Sequence, residues 1–323
     1  MIMKDSIRHP NYEFSIEGHP NNTTEEHLKT LAGLGFKRIS YGVQENDPLV
    51  QKAINRIQPL ENVRIATETA RRVGFTSVNF DLIYGLPLQT VSSMGKTMRE
   101  VLELKPDRIA FYSYAHVPST SNAQRLFDES HLPNAQEKLN IRAEGRRILQ
   151  EAGYEDIGMD HYGLPADDLH IAMKSGRLHR NFMGYTNQRS GLLVGLGVSA
   201  ISDTGNAYMQ NNKSLRLYYD DVNHGRLPVN RGYFLNDIDV EMRRYIMDIS
   251  CKNKTVLSDK YRSILDESCI PKLNDMAHDG LISINYPEVK VTKEGRKFIR
   301  NICSAFDLFL DSGSQSKVFS KAI

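Results

Sequence analysis

The chain has 323 residues with 41 basic and 39 acidic side chains, a formal charge of +2, and 40% hydrophobic and 25% charged residues, the proportions of a globular protein with room for one large domain and a smaller one. So even a balance leaves no net field to recruit nucleic acid or an anionic membrane, and no run approaches the roughly 18 apolar residues of a spanning helix. Neither nucleic acid nor membrane is therefore expected as a partner, and a start at Met1-Ile2-Met3-Lys4-Asp5 without a secretory apolar core makes the cytoplasm the expected location.

Taken in chain order, runs rich in Val, Ile, Phe and Tyr predict strands at 12–17, 38–43, 77–84, 108–116 and 154–159. Segments of 3.6-residue period predict helices at 24–34, 60–73, 90–104 and 135–151. Thr23-Thr24-Glu25-Glu26 predicts a capping box closed by a carboxylate, and Gly35, Gly74 and Gly153 follow three of the helices as C-terminal stops. This alternation gives an α/β class with a parallel sheet buried on both faces, as the apolar run Phe80-Asp81-Leu82-Ile83-Tyr84 suggests. Too few units are present for a closed eight-strand barrel, so the sheet is expected to be open or an incomplete arc.

Beyond Tyr208 the alternation stops. The expected organisation is an α/β domain over 1–217, a polar linker over 218–236 and a mostly helical domain over 237–323. In the last, helices at 237–251, 258–265 and 271–278 and a hairpin at 281–285 and 288–292 resemble a winged-helix order. Its 14 basic and 13 acidic side chains argue against a phosphate-binding surface.

Three polar residues, Glu17, Gln44 and Asp81, each close a strand run just ahead of a helix. At the C-terminal ends of parallel strands such side chains collect around one mouth, which points to a ligand site; helix caps, or pairs with a neighbour such as Arg56, are the ordinary alternative. Gly195-Leu196-Gly197-Val198-Ser199-Ala200, with Asp220 and Asp221 further on, matches a dinucleotide loop but falls at the end of the α/β region, where a close approach of backbone to a ligand or a neighbouring strand is the better reading. His179 to Thr186 joins two cations and an aromatic pair between the last helix and last strand, suited to clamping a carboxylate beside a planar ligand or to an ordinary solvated loop. Tyr112 to His116 suits a strand end facing a pocket or plain strand packing. Cys251, Cys269 and Cys303 carry no C-x-x-C spacing and read as buried reduced thiols, so no metal ligands are expected.

Together, Tyr41-Gly42-Val43-Gln44, Asn55-Arg56-Ile57-Gln58, Asn79 to Pro87, Tyr114-Ala115-His116, Gly158-Met159-Asp160-His161, His179 to Thr186, Gly195 to Ser202 and the tail segments Gly295-Arg296 and Arg300 to Cys303 resemble the oxygen-independent coproporphyrinogen III oxidases. The resemblance implies a radical S-adenosylmethionine enzyme with a six-unit partial (β/α) barrel, incomplete in this chain, and a helical, winged-helix-like C-terminal domain. It implies that two propionate arms of coproporphyrinogen III become vinyl groups in haem synthesis. A 4Fe–4S cluster reductively cleaves S-adenosylmethionine, the resulting radical removes a hydrogen from the propionate β-carbon, decarboxylation follows, and an electron passes to an unnamed acceptor. Residue by residue, it implies that Glu17 and the backbone at Ile201 contact one S-adenosylmethionine, and that Gln44, Arg56, Asp81 and Ala115 contact a second.

Gly18-His19 and Asn187 depart from the family pattern, and its N-terminal C-x-x-x-C-x-x-C loop and glycine-rich segment have no counterpart in these residues. The chain is accordingly expected to be a C-terminal portion of an oxidase, lacking two barrel units, open along the flank of its first strand and inactive without cluster thiolates. A non-catalytic haem- or porphyrin-binding relative is the alternative, and a DNA-binding winged helix a third, disfavoured by the neutral tail.

Overall fold

The structure, a computed structural model, describes residues 12–119 and 122–310. These fall into two compact units, one running through His170 and the other from Ile171 onward, a different division from the expected break near 217.

The first unit alternates as β1 (Ser15–Gly18), α1 (Glu25–Gly33), β2 (Arg38–Gln44), α2 (Pro48–Ala53), α3 (Leu60–Arg72), β3 (Ser77–Tyr84), α4 (Val91–Leu102), β4 (Arg108–Ser113), α5 (Ala135–Glu151), β5 (Glu155–Gly158) and β6 (His161–Gly163). One sheet takes all six strands in the order β1-β2-β3-β4-β6-β5. The first four pair in parallel. The fifth predicted strand does not extend that pattern: it folds back through a turn with Met159 at φ 37° and Asp160 at φ 72°, and β6 enters the sheet antiparallel to both β4 and β5. Two consecutive left-handed residues are the geometry of a tight hairpin, not of a crossover.

The strands alternate, and this corrects the expectation of a sheet buried on both faces. Ile39, Tyr41 and Val43, then Val78, Phe80, Leu82 and Tyr84, then Ile109 and Phe111 lie in the core with Val63, Ala66 and Ala70 of α3, Met94, Met98 and Val101 of α4, and Ile141, Ile148 and Leu149 of α5. Each such side chain contributes about 1.5–3 kcal/mol by leaving water. The intervening residues, Ser40, Gly42 and Gln44 on β2 and Asn79 and Asp81 on β3, are half-buried on the other face.

Helix ends follow local chemistry. Thr24 caps α1, and the box is closed by the ring of His27 instead of a carboxylate; Asn134 and Glu137 form the box of α5. Gly35, Gly74 and Gly153 sit at φ 98°, 107° and 85°, where a side chain is disfavoured. Gly145 serves packing: a Cβ there would stand 2.6 Å from the Phe111 ring and 3.1 Å from Met98 Cε. Gly145→Val is expected to lower unfolding free energy by about 2 kcal/mol through overpacking. In urea unfolding, Gly33→Ala, on a helix position with nothing within 4 Å, serves as the control that loses nothing; equal midpoints for the two variants would refute the packing argument.

The second unit contains α6 (Asp168–Lys174) from Ile171, a hairpin of β7 (His179–Asn181) and β8 (Gly184–Thr186), and an antiparallel sheet of β9 (Ile201–Asp203), β10 (Ala207–Asn211) and β11 (Val229–Phe234), with α7 (Leu215–Asn223) between the last two strands. The segment His179–Thr186 is thus a hairpin of its own, and the expected linker 218–236 holds part of α7 and all of β11. Next come α8 (Asp237–Lys252), β12 (Lys254–Val256), a short α9 (Arg262–Ile264) running through a π turn (Leu265–Cys269) into α10 (Ile270–His278), the hairpin β13 (Ile282–Asn285) and β14 (Glu288–Val291), and α11 (Ile299–Ser304). β12 joins that hairpin along β14. Tyr245, Ile249, Leu265, Leu273, Val289, Ile302 and Phe306 form the buried interior of this part.

Candidate functional site

On the polar face of the first unit, β2 ends in an irregularity: Gly42 faces Asp81, but Gln44 faces Leu82, one residue having been bulged out. Gln44 takes φ 66°. The bulge turns its side chain back over Gly42, whose missing Cβ makes the room: a Cβ would lie 2.7 Å from Gln44 Nε2 and 3.1 Å from Arg56 Nη2. Arg56 donates through Nη2 to the Gly42 carbonyl at 2.7 Å. Its Nε and Gln44 Oε1 are buried and have no hydrogen-bond partner among the described residues. Burial holds the Arg56 guanidinium below its usual pKa. A donor and an acceptor withdrawn from water and left unsatisfied are costly unless a ligand completes them.

The segment carrying Arg56 is braced. Gln51 donates through Nε2 to the carbonyls of Glu45 and Gln58, each at 2.8 Å, and accepts from Gln58 N at 2.9 Å.

Asp81 accepts from Asn79 Nδ2 at 2.8 Å and from Ser40 Oγ at 3.2 Å, and Asn79 also reaches Ser40 Oγ at 2.6 Å. Glu17 stands opposite Ser40 in the β1–β2 register and adds a second negative charge. Burial first, and Glu17 after it, raise the Asp81 carboxyl from 3.8 to about 6, against the two hydrogen bonds that lower it. The folded state therefore binds this proton more tightly than the unfolded chain. The contribution to stability is complete below the unfolded pKa and is lost as pH rises through about 6. Asp81→Asn is expected to be more stable than the parent by about 1 kcal/mol at about pH 4.5 and about 3 kcal/mol at about pH 8. Urea titrations of both proteins at the two pH values measure the difference, and a pH-independent gap would contradict it.

Of the pairings open from sequence, one between Asp81 and Arg56 is not formed: Arg56 bonds a main-chain carbonyl, and Asp81 is held by neutral side chains. Glu17, Gln44, Arg56 and Asp81 all belong to the one polar face and its mouth. Ala115 lies in the loop after β4, its carbonyl taken by Gln124 Nε2 at 3.0 Å. Further along the same face, His161 Nδ1 donates to the Met159 carbonyl at 3.0 Å, which leaves Nε2 to accept from the Tyr112 hydroxyl at 3.3 Å. Sequence reasoning missed Ser40, and named Gly42 and Asn79 only within motifs, with no role of their own. It also missed Glu45, a carboxylate only 1% exposed that anchors the loop after Gln44.

Ile201 belongs to the second unit, at the start of β9, where it pairs with Gln210. Its main chain fits against Gly195, where a Cβ would come within 2.6 Å of the Ile201 carbonyl oxygen. Asn211 Nδ2 donates to the carbonyls of Gly195 and Gly197 at 3.1 and 2.9 Å. The glycine motif is therefore a close approach to a neighbouring strand, and it leads into β9 instead of a phosphate-binding helix. Asp221 is engaged with Asn212 and Arg226.

The three cysteines lie in the second unit, Cys251 on α8, Cys269 in the π turn and Cys303 on α11, all buried and free. Burial pushes the Cys303 thiol up to about 12. No group of three or more His, Cys, Asp or Glu side chains among the described residues is arranged to hold a metal ion. Among those residues no helix is long and apolar enough to cross a membrane.

Comparison with known proteins gives consistent findings. The Radical SAM superfamily profile matches residues 2–101. The oxygen-independent coproporphyrinogen III oxidase of Salmonella typhimurium is 41% identical over 317 residues, 96% of this chain and 69% of the relative. The protein of that name from Thermostichus vulcanus is 39% identical over 96% of this chain and 98% of its own length. Among solved structures, coproporphyrinogen III oxidase from Escherichia coli, described as a radical SAM enzyme, superimposes with a TM-score of 0.87 at 40% identity, over 92% of this chain and 70% of that one.

Proposed function

The chain belongs to the family of oxygen-independent coproporphyrinogen III oxidases, and from that membership we propose that it acts in the conversion of coproporphyrinogen III to protoporphyrinogen IX in haem synthesis, in the cytoplasm, with S-adenosylmethionine as cofactor. The observation that carries the cofactor assignment is the unsatisfied pair at the mouth, Arg56 Nε and Gln44 Oε1, set beside an Asp81 carboxyl whose pKa burial has raised. S-Adenosylmethionine offers a carboxylate, an ammonium and ribose hydroxyls. For one S-adenosylmethionine, Arg56 is suited to the carboxylate through a charge-assisted hydrogen bond, Gln44 Oε1 accepts from an amine and Asp81 accepts from the ammonium or the hydroxyls, while Glu17 is assigned to the other in the same accepting role. A cation or a set of donors arriving at Asp81 offsets the burial that disfavours its ionised form.

When bound and reductively cleaved, S-adenosylmethionine supplies this family with the agent that takes hydrogen from a propionate β-carbon. The chain's own contribution is to hold and orient: the Gln51–Gln58 brace fixes Arg56, the Ser40–Asn79 pair fixes Asp81, and the bulge fixes Gln44. We assign main-chain contacts at Ala115 and Ile201 on the resemblance of their segments. An iron–sulfur cluster does not fit the described residues, because cluster ligation needs convergent thiolates and these three thiols are buried on separate elements. No residue of this chain is assigned to it.

The proposal is tested by deleting the coding region in the organism that carries it and growing the strain anaerobically. Coproporphyrin III is expected to accumulate, the oxidised trace of unconsumed substrate. Unchanged porphyrin pools with normal haem would reject the assignment.

A further inference from the structure

Beyond Asp81 the polar face continues across β4 and β6. Asp81 stands beside Ala110 and Ala110 beside His161, while Tyr112 lies one row nearer the mouth, beside Ile83. Ile109 and Phe111 point into the core, so strand alternation puts Ala110, Tyr112 and Tyr114 on the polar face. Tyr114 still follows β3, donating its main-chain N–H to the Tyr84 carbonyl at 2.8 Å. Both phenols meet an imidazole. The Tyr112 hydroxyl is 3.3 Å from His161 Nε2, with the rings edge-on and their centroids 5.7 Å apart. The Tyr114 hydroxyl is 3.5 Å from His116 Nδ1, a long hydrogen bond, with the ring centroids 6.0 Å apart. The Phe127 ring packs against this second pair, 5.6 Å from His116 and 6.3 Å from Tyr114.

Each imidazole is anchored at its other nitrogen on a group that only accepts: His161 Nδ1 on the Met159 carbonyl and His116 Nε2 on the Glu129 carboxylate, both at 3.0 Å. In the neutral ring that anchoring fixes the tautomer, and the nitrogen turned to the phenol is the acceptor. Both phenolic hydrogens are therefore directed at histidine, and what each phenol offers a ligand is an oxygen lone pair. Burial raises the Tyr114 pKa and keeps its hydroxyl protonated. A porphyrinogen with ionised acid arms has one kind of hydrogen-bond donor, its pyrrole N–H groups. Saturated carbons join its four pyrroles, so the rings tilt and the N–H groups can turn to one side. In the flat, oxidised porphyrin the remaining N–H groups lie within the ring plane, out of reach from either face.

We propose that Tyr112 and Tyr114 accept hydrogen bonds from pyrrole N–H groups of the porphyrinogen, with His161 and His116 as positioning residues that hold the phenolic hydrogens away from it. This rests on the coproporphyrinogen reading above and specifies which side chains distinguish the reduced tetrapyrrole from its oxidised form.

The test measures binding of coproporphyrinogen III and of coproporphyrin III to the 323-residue chain by anaerobic ultrafiltration, each quantified by porphyrin fluorescence after oxidation. The parent is expected to prefer the porphyrinogen by about tenfold or more. Tyr112→Phe and Tyr114→Phe should each weaken porphyrinogen binding about fivefold, the worth of one neutral hydrogen bond, and leave coproporphyrin III binding unchanged. Phenylalanine keeps the ring and its packing, and the porphyrin control reports on the fold. His161→Phe keeps the Tyr112 oxygen but releases its hydrogen, so the preference should fall by a smaller factor, again with porphyrin binding unchanged; a merely structural role would move both ligands together. If the parent binds both forms equally, or if both tyrosine variants keep the full preference, the phenol contacts are overturned while the oxidase reading stands. Variants that lose affinity for S-adenosylmethionine and keep the preference overturn them too, by giving the phenols to the cofactor. If the parent binds neither tetrapyrrole, this assignment and the coproporphyrinogen reading both fall.

Discussion

Arg56→Ala is expected to lower the chain's affinity for S-adenosylmethionine by about a hundredfold, about 2.7 kcal/mol, with little change in folding. Hydrogen bonds to charged groups are worth about 1.5–3 kcal/mol each, and the guanidinium is proposed to hold the ligand carboxylate while its Nη2 stays on the Gly42 carbonyl at 2.7 Å. Removing it also loosens Gln44, which shares the space above Gly42 with the guanidinium, so the loss exceeds one contact. Lysine does not substitute, because a single ammonium cannot hold a main-chain carbonyl and a carboxylate in the fixed geometry of a guanidinium. Gly42→Ala approaches the same defect from beneath by displacing both side chains, and a double-mutant cycle between the two should be strongly non-additive. Calorimetric titration measures it. Equal affinity in parent and Arg56→Ala would remove Arg56 from the site.

Glu45→Ala is expected to cost about 3 kcal/mol of stability, because it strands several buried hydrogen-bond donors at once. The carboxylate accepts from the main-chain N–H groups of Asn46 at 2.8 Å and Asp47 at 3.1 Å, from Gln89 Nε2 at 2.6 Å, and from the Thr97 hydroxyl. Gln89 in turn accepts from Gly85 N at 2.6 Å and donates to the Ile83 carbonyl at 2.9 Å. One side chain therefore ties the loop after β2 to the loop after β3 and to α4. Alanine leaves several buried donors without acceptors, each costing about 1–3 kcal/mol. Glu45→Gln keeps the shape but presents an amide NH2 to donors, and an intermediate loss is expected. Because the loop after β2 begins at Gln44, cofactor affinity should fall together with stability, unlike in Arg56→Ala. Urea unfolding decides the matter: a loss under about 1 kcal/mol would mean that water replaces the carboxylate readily.

Much of the first unit is legible in the sequence because its signals are local. The helix expected at 135–151 is found as Ala135–Glu151, bounded by an Asn134 cap and followed by Gly153. Signals that depend on distant partners were not legible. Strand β6 is three residues long, too short for any periodicity, and its direction is set by Met159 and Asp160, residues that do not announce a left-handed conformation in sequence. The run from Phe80 to Tyr84 reads as apolar but for Asp81 because Ile83 occupies the polar face among hydrophobic neighbours. At the site, Glu17, Gln44 and Asp81 stand out as polar residues ending apolar strands. Ser40 and Asn79 lie mid-strand, and their meeting at Asp81 requires the pairing of strands about forty residues apart. Glu45 looks like any loop carboxylate until its burial is known. The glycines at 195 and 197 copy a nucleotide motif because close backbone packing asks for the same absence of a side chain, whichever atoms arrive.

The alternation of β3 has a consequence for how this sequence can vary. Phe80 is held by the helices and Asp81 by the opposite face, so neighbouring positions answer to different demands, one to folding and the next to the ligand. Point changes separate the two. A single inserted or deleted residue in the strand cannot: it would turn Asn79 and Asp81 inward against Met94 and Met98 and bring Phe80 and Leu82 out to the mouth, losing core and chemistry in one step. Length between Ser77 and Tyr84 is therefore more tightly constrained than the identity of any one side chain within it.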